Sequence, residues 1–167
     1  MKIEKVDGIW LPIRHTLLHI DHDSKFLLWC NSQQKKFSGI LDINAEFGLW
    51  ANSIEKYAKK IYCFEGNKTN FKCLHHNTTM NEKISIYNQN VSFVIDQTVS
   101  LLELSKIDLI NINIEDLTIE ILETGMHTLD NCQYLIVYTK SNIHDFIKEQ
   151  LGFSILMTEG AKTIYCK

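Results

Sequence analysis

The chain has 167 residues, 45% of them hydrophobic and 22% charged, with a formal net charge of −3. That is enough apolar material for one domain with its own core, and too little positive charge for a broad nucleic-acid surface. No apolar run approaches the roughly 20 residues of a membrane span, and MKIEKVDGIWLPIRH at the N-terminus lacks a signal-peptide apolar region, so a cytoplasmic protein is expected.

The segment from Met1 to Phe37 is the least regular. It predicts a hairpin or loop around Gly8 to His15 and a helix ending near Trp29, together a cap of residues 1–37 on a single core of residues 38–167. Trp10 and Trp29 are expected to cover the side where a substrate would approach. From Ser38 the pattern alternates strand and helix. Gly39-Ile40-Leu41 is an apolar run ending in Asp42, and Asn44 to Gly48 is a tight turn. Leu49, Trp50, Ser53, Ile54, Tyr57 and Ala58 then share one stripe at helical spacing. A second apolar run, Ile61 to Phe64, ends in Glu65.

Lys68 to Asn77 predicts a helix burying Phe71 and Leu74, and Ile84 to Tyr87 a third strand. Val99 to Leu104 reads as a short helix and Ile107 to Ile112 as a fourth strand. One helix is expected over Leu117 to Leu129, with Ile119, Leu122, Met126 and Leu129 inward. Tyr134 to Tyr138 carries no charge, as a strand covered on both faces should not. A last helix with Ile143, Phe146, Ile147 and Leu151 on one face stops at Gly152. Phe153 to Met157 and Thr163 to Cys166 flank a turn at Glu159-Gly160 and predict a closing hairpin. The expected fold is an α/β sheet, mostly parallel, with an antiparallel C-terminal edge.

Strand, turn, helix, then a strand ending in an acid is how a doubly wound sheet holds a nucleoside cofactor. Glu65, roughly 20 residues past the turn, is placed to accept both ribose hydroxyl protons. Its alternative is an ordinary solvated glutamate at a strand end. Asp42, at the end of the first strand, is placed to cap the turn through nearby backbone amides. The five cysteines, Cys30, Cys63, Cys73, Cys132 and Cys166, form no CxxC pair and read as small buried hydrophobes in a reducing compartment. His15, His19 and His22 show no metal-ligand pattern, and no metal is expected. A nicotinamide-binding domain fits the same strand–turn–helix–strand–acid order, but the turn has one glycine only and the terminal hairpin speaks against it.

Three ordered stretches resemble the FkbM-type S-adenosylmethionine-dependent methyltransferases. Asp42-Ile43-Asn44-Ala45-Glu46-Phe47-Gly48 stands in the frame of that family's D-x-G-A-N-x-G. Phe64-Glu65-Gly66-Asn67 and Asn70-Phe71-Lys72-Cys73-Leu74-His75-His76-Asn77 stand in the frames of F-E-P-N and N-F-x-x-L-x-x-N. Ile107 to Asp116 stands in that of I-D-L-x-K-I-D-x-E-G. The resemblance implies a Rossmann-like class I sandwich of seven strands and S-adenosylmethionine as cofactor. It implies cofactor contacts from Asp42, Asn44, Ala45, Glu46, Gly48, Glu65, Gly66 and Asn90. Asn111, Asn113 and Glu115 would face the acceptor, expected to be a hydroxyl of a small molecule or glycan rather than a nucleic acid or a membrane. Six positions depart from the family's pattern. Asn44 replaces a glycine, Glu46 a neutral or basic residue, and Gly66 a proline. Asn111 and Asn113 replace a lysine and an aspartate. Asp116 also stands where the family has glycine. These departures keep a second reading open, a methyltransferase-like binding protein that has lost cofactor binding or acceptor chemistry.

Overall fold

The fold is taken from a computed structural model that describes residues 2–12, 24–104, 106–138 and 141–167. His15, His19 and His22 lie outside the described residues. Strands β1 (Ile3–Val6) and β2 (Ile9–Pro12) form an antiparallel hairpin. Its two turn residues, Asp7 and Gly8, both have positive φ, which matches the twist of the flanking strands. Helix α1 (Ser24–Ser32) follows. Its first turn is capped from a distance, because Glu159 accepts the N–H of Lys25 at 3.0 Å and that of Phe26 at 3.4 Å.

The core then runs β3 (Phe37–Ile43), α2 (Leu49–Ile54), β4 (Ala58–Phe64), α3 (Lys68–Thr78), β5 (Ile84–Tyr87), α4 (Ile95–Leu101) and β6 (Leu109–Ile112). It closes with α5 (Ile119–Glu123), α6 (Met126–Asn131), β7 (Tyr134–Tyr138), α7 (Ser141–Glu149), β8 (Ser154–Glu159) and β9 (Lys162–Cys166). Strands β3 to β9 make one seven-stranded sheet in the order β5-β4-β3-β6-β7-β9-β8. β9 pairs antiparallel with both β7 and β8, and the other pairings are parallel. The parallel sheet with its antiparallel edge is the expected one.

Alternation along the strands splits the core in two. Leu41, Ile43, Phe64, Ile110, Ile112 and Val137 face one side and pack with Ile95, Leu122, Ile143 and Ile147 from α4, α5 and α7. Ile40, Ile61, Cys63, Leu109 and Ile136 face the other and pack with Phe26, Ala51, Ile54 and Leu74 from α1 to α3. Three layers result, with both faces of the central strands buried.

Some element bounds differ from expectation for local reasons. α2 ends at Ile54 in a 3-10 turn, Glu55–Tyr57, and Ala58 already belongs to β4. α4 begins at Ile95, four residues before the expected start, and Asp96 in its first turn reaches over to α6. There the Asp96 carboxylate accepts the N–H of His127 at 2.9 Å and of Thr128 at 2.8 Å. That bond explains why the single helix expected over residues 117–129 is two. The break falls at Thr124-Gly125, and a Cβ on Gly125 would meet Ile95 at 3.0 Å.

Neither tryptophan of the N-terminal segment sits as expected. Trp29 lies against Phe26 and Tyr134, and Tyr134 opens β7, so the ring is at the amino edge of the sheet. Trp10 stacks on His76 of α3, with ring centroids 4.8 Å apart. The hairpin docks there because Asn77 serves it as a strand edge would. Its Oδ1 accepts the Trp10 N–H at 2.8 Å, and its Nδ2 donates to the Trp10 carbonyl at 3.0 Å and the Phe47 carbonyl at 2.9 Å. Leu11, Phe47 and Cys73 make a small apolar cluster beneath. Asn77→Ala is therefore expected to lower unfolding stability by about 2 kcal/mol, since one side chain satisfies three backbone groups. Chemical denaturation measures this, and a loss under about 0.5 kcal/mol would mean that apolar contact alone holds the hairpin.

Candidate functional site

The sheet order dictates where a ligand can sit. The chain builds outward from β3 to β4 and β5, then returns to place β6 on the other side of β3. The carboxyl ends of β3 and β6 therefore flank the switch point, where connecting segments leave in opposite directions. A cleft of about 580 Å³ opens at this edge, within the range of small-molecule sites. Asn44, Glu65, Gly66 and Asn90 contribute polar wall, and Val91, Phe93, Ile114 and Ile121 apolar wall.

The turn after β3 is built from unusual backbone. Asn44, Glu46 and Gly48 all have positive φ, at 61°, 50° and 76°. Asn tolerates this region better than most residues, and so the turn survives the loss of the glycine expected at 44. Three of its own backbone N–H groups help to hold it. The Ala45 N–H donates to the Phe64 carbonyl at 3.0 Å, and the Gly48 N–H to the Ala45 carbonyl at 2.9 Å. The third is the Glu46 N–H, which donates to Glu65 Oε2 at 2.9 Å.

Glu65 is 1% exposed and is the pivot of the site. Its second oxygen accepts the Asn67 N–H at 2.7 Å, and its carbonyl accepts from Asn88 Nδ2 at 2.8 Å. Burial pushes its carboxyl pKa up, and the two backbone N–H donors pull it partly back. Each oxygen has used one lone-pair position, which leaves acceptor capacity for the two hydroxyls of a diol.

Asp42 and Asn111 are neighbours across β3 and β6, each 1% exposed. Asn111 Nδ2 donates to Asp42 Oδ1 at 2.8 Å. Asn111, expected to face the acceptor, is instead turned into the sheet toward Asp42. Its Oδ1 is buried and has no hydrogen-bond partner among the described residues, which costs stability. Asn113 pairs with Asn44. Asn44 Nδ2 donates to the Asn113 carbonyl at 2.7 Å, and Asn113 Nδ2 returns a bond to the Asn44 carbonyl at 3.3 Å. Glu115 is exposed in the loop between β6 and α5 and is not among the residues lining the cleft.

Of the residues expected at a cofactor, Asn44, Glu65, Gly66 and Asn90 line the cleft. Asp42 and Ala45 are buried below it, and Glu46 turns an exposed side chain outward. Gly48 begins α2 against α3, where a Cβ would meet Leu74 at 2.6 Å and Thr78 at 2.9 Å. A Cβ on Gly66 would meet Asn90 Cβ at 2.9 Å, so this glycine brings the β4 and β5 loops together. The apolar wall was not foreseen. Val91 and Phe93 follow Asn90 in a loop without motif, and their one local signal is the Asn90 side chain accepting the Ser92 N–H at 3.1 Å. Among the described residues no group of three His, Cys, Asp or Glu could hold a metal. No helix there is long and apolar enough to cross a membrane.

The same architecture recurs in solved structures. An rRNA methylase from Streptococcus thermophilus aligns with a TM-score of 0.61 at 13% identity, over 93% of this chain and 99% of that one. TrmK from M. capricolum, in complex with S-adenosyl-homocysteine, aligns with a TM-score of 0.61 at 14% identity, over 91% of this chain and 70% of that one. Magnesium protoporphyrin IX methyltransferase from Synechocystis, with bound S-adenosylmethionine, aligns with a TM-score of 0.60 at 13% identity, over 85% and 75% of the two chains. The fold is that of the class I S-adenosylmethionine-dependent methyltransferases. The likeness is to the class as a whole and does not single out the FkbM type. No family model matches the chain, and no curated relative matches it in sequence.

The residues present fit the nucleoside half of such a cofactor, with a buried acid at the end of β4 and an apolar wall opposite. They fit the amino-acid half less well, because the Asn44–Asn113 pair spans the switch point.

Glu65 also gives the site a pH signature. Its folded-state pKa lies above the ordinary 4.5, so the folded chain holds a proton that the unfolded chain releases. The resulting stabilisation is complete below about pH 4.5 and is lost as pH rises through the folded pKa. Unfolding measured across that window should show the wild type losing stability relative to Glu65→Gln as pH rises. A difference that stays constant with pH would show that Glu65 titrates as it does in the unfolded chain.

Proposed function

We propose that the protein is an FkbM-like S-adenosylmethionine-dependent methyltransferase acting on a hydroxyl of a small or glycosidic acceptor. Glu65 carries this reading, a buried carboxylate at the carboxyl end of β4 beside the switch point, lining a cleft of nucleoside size. In its ionised form it would accept the two ribose hydroxyls, and Val91, Phe93 and Ile121 would flank the base. Asn44, Gly66 and Asn90 would complete the contacts. S-adenosylmethionine, when bound, supplies an activated methyl group for direct displacement by the acceptor oxygen. The chain's part is to hold donor and acceptor in line and keep water out. Among the described residues no Lys or Arg lines the cleft, and the net charge is −3, which supports an uncharged acceptor over a nucleic acid. Five free thiols suit a cytoplasmic setting.

A second reading has its own observation. Asn111 is spent on Asp42, Asn113 on Asn44, and Glu115 is exposed away from the cleft, so no general base among the three reaches it. This supports a binding protein that keeps the fold without the transfer.

Calorimetric titration with S-adenosylhomocysteine tests the cofactor site. The wild type is expected to bind, and Glu65→Ala to lose about 100-fold or more in affinity with the two charged hydrogen bonds to the diol. No binding to the wild type at millimolar ligand would refute the cofactor site.

A further inference from the structure

The switch-point crevice is closed by the protein itself. Ile43 and Ile112 are register partners at the ends of β3 and β6. The next residue on each strand, Asn44 and Asn113, exchanges a side-chain amide for the other's backbone carbonyl, at 2.7 and 3.3 Å. Their backbones are also tied, since the Asn113 N–H donates to the Ile43 carbonyl at 2.9 Å. The open volume borders the pair at Asn44 and Ile114, and most of its wall, with Glu65, Gly66, Asn90 and Phe93, follows β4 and β5. A ligand can enter there without disturbing the pair. A chain extended from that ligand toward β6 cannot.

We infer that the Asn44–Asn113 pair is a latch that makes this a site for an uncharged nucleoside with a short 5′ group, and that a full amino-acid chain enters only when the latch opens. The inference rests on the reading of the cleft as a nucleoside site. Charge narrows the class further. Among the described residues lining the cleft Glu65 is the one ionisable group, so an anionic 5′ group such as a phosphate meets repulsion there. The first N–H groups of α3 are no substitute for a cation, because the Asn67 side chain already accepts those of Thr69 at 2.9 Å and Asn70 at 3.2 Å. The latch residue also explains the left-handed backbone at 44. A φ of 61° aims the amide across to β6, and glycine, with no side chain, would leave the crevice open.

The test is calorimetry on the full chain and on Asn44→Gly with two ligands, 5′-methylthioadenosine and S-adenosylhomocysteine. They share the nucleoside, and only the second carries the amino-acid chain. Glycine suits the backbone at 44, so the variant keeps the turn. The wild type should bind methylthioadenosine at least as tightly as S-adenosylhomocysteine. Asn44→Gly should bind S-adenosylhomocysteine on the order of tenfold more tightly, a gain well beyond any change for methylthioadenosine, because only the longer ligand has to break the pair. A wild type that strongly prefers S-adenosylhomocysteine, or an Asn44→Gly variant that leaves its affinity unmoved, would overturn the latch while keeping the nucleoside site. Binding of neither ligand by either protein would overturn the nucleoside site, and the latch with it.

Discussion

Glu65 accepts the Glu46 N–H through one oxygen and the Asn67 N–H through the other, and by doing so ties together the two loops that leave β3 and β4. Without that carboxylate the turn at 44–48 would lose its side-chain tie to β4, and three of its five residues sit in left-handed conformation. The turn in turn sets the start of α2, whose Gly48 lets it press against Leu74 and Thr78 of α3. The Phe47 carbonyl is the point where Asn77 joins the turn to the N-terminal hairpin. One buried acid thus anchors a chain of contacts from β4 through the turn to α3 and the hairpin. Burial raises its pKa, and the two donors offset part of that cost.

The polar groups at this edge are already engaged with one another. Asp42 holds Asn111 within the sheet, and Asn44 holds Asn113 across the top of it. An amide at 111 can satisfy Asp42 with its NH₂, but its oxygen is then left without a partner in a dry environment. The arrangement binds β3 to β6 more firmly than main-chain pairing alone, at the cost of one orphaned acceptor. It also removes two asparagines from the open cleft. Among the described residues, the site that remains has a single charged group and an apolar wall, which favours recognition of a neutral ligand by shape and by a diol.

The architecture and the place of its edge were legible in the amino-acid pattern. Uncharged runs such as Leu109 to Ile112 and Tyr134 to Tyr138 can lie only in the middle of a covered sheet, and the helical stripes between them supply the cover. Strand-end acids at 42 and 65 are local facts of the chain, and the turn between them announces itself through Asn44 and Gly48. Tertiary structure decided everything that depends on a partner distant in the chain. The break between α5 and α6 comes from Asp96, about thirty residues away, and not from any residue that forbids helix on its own. The docking of the hairpin comes from Asn77, 67 positions from Trp10, whose side chain reads in sequence as one more polar residue at a helix end. Whether an asparagine faces a ligand or another strand is likewise a property of the pair. Asn111 and Asn113 lie 69 positions from their partners, and only the register of β3 on β6 brings them together and turns them from the cleft.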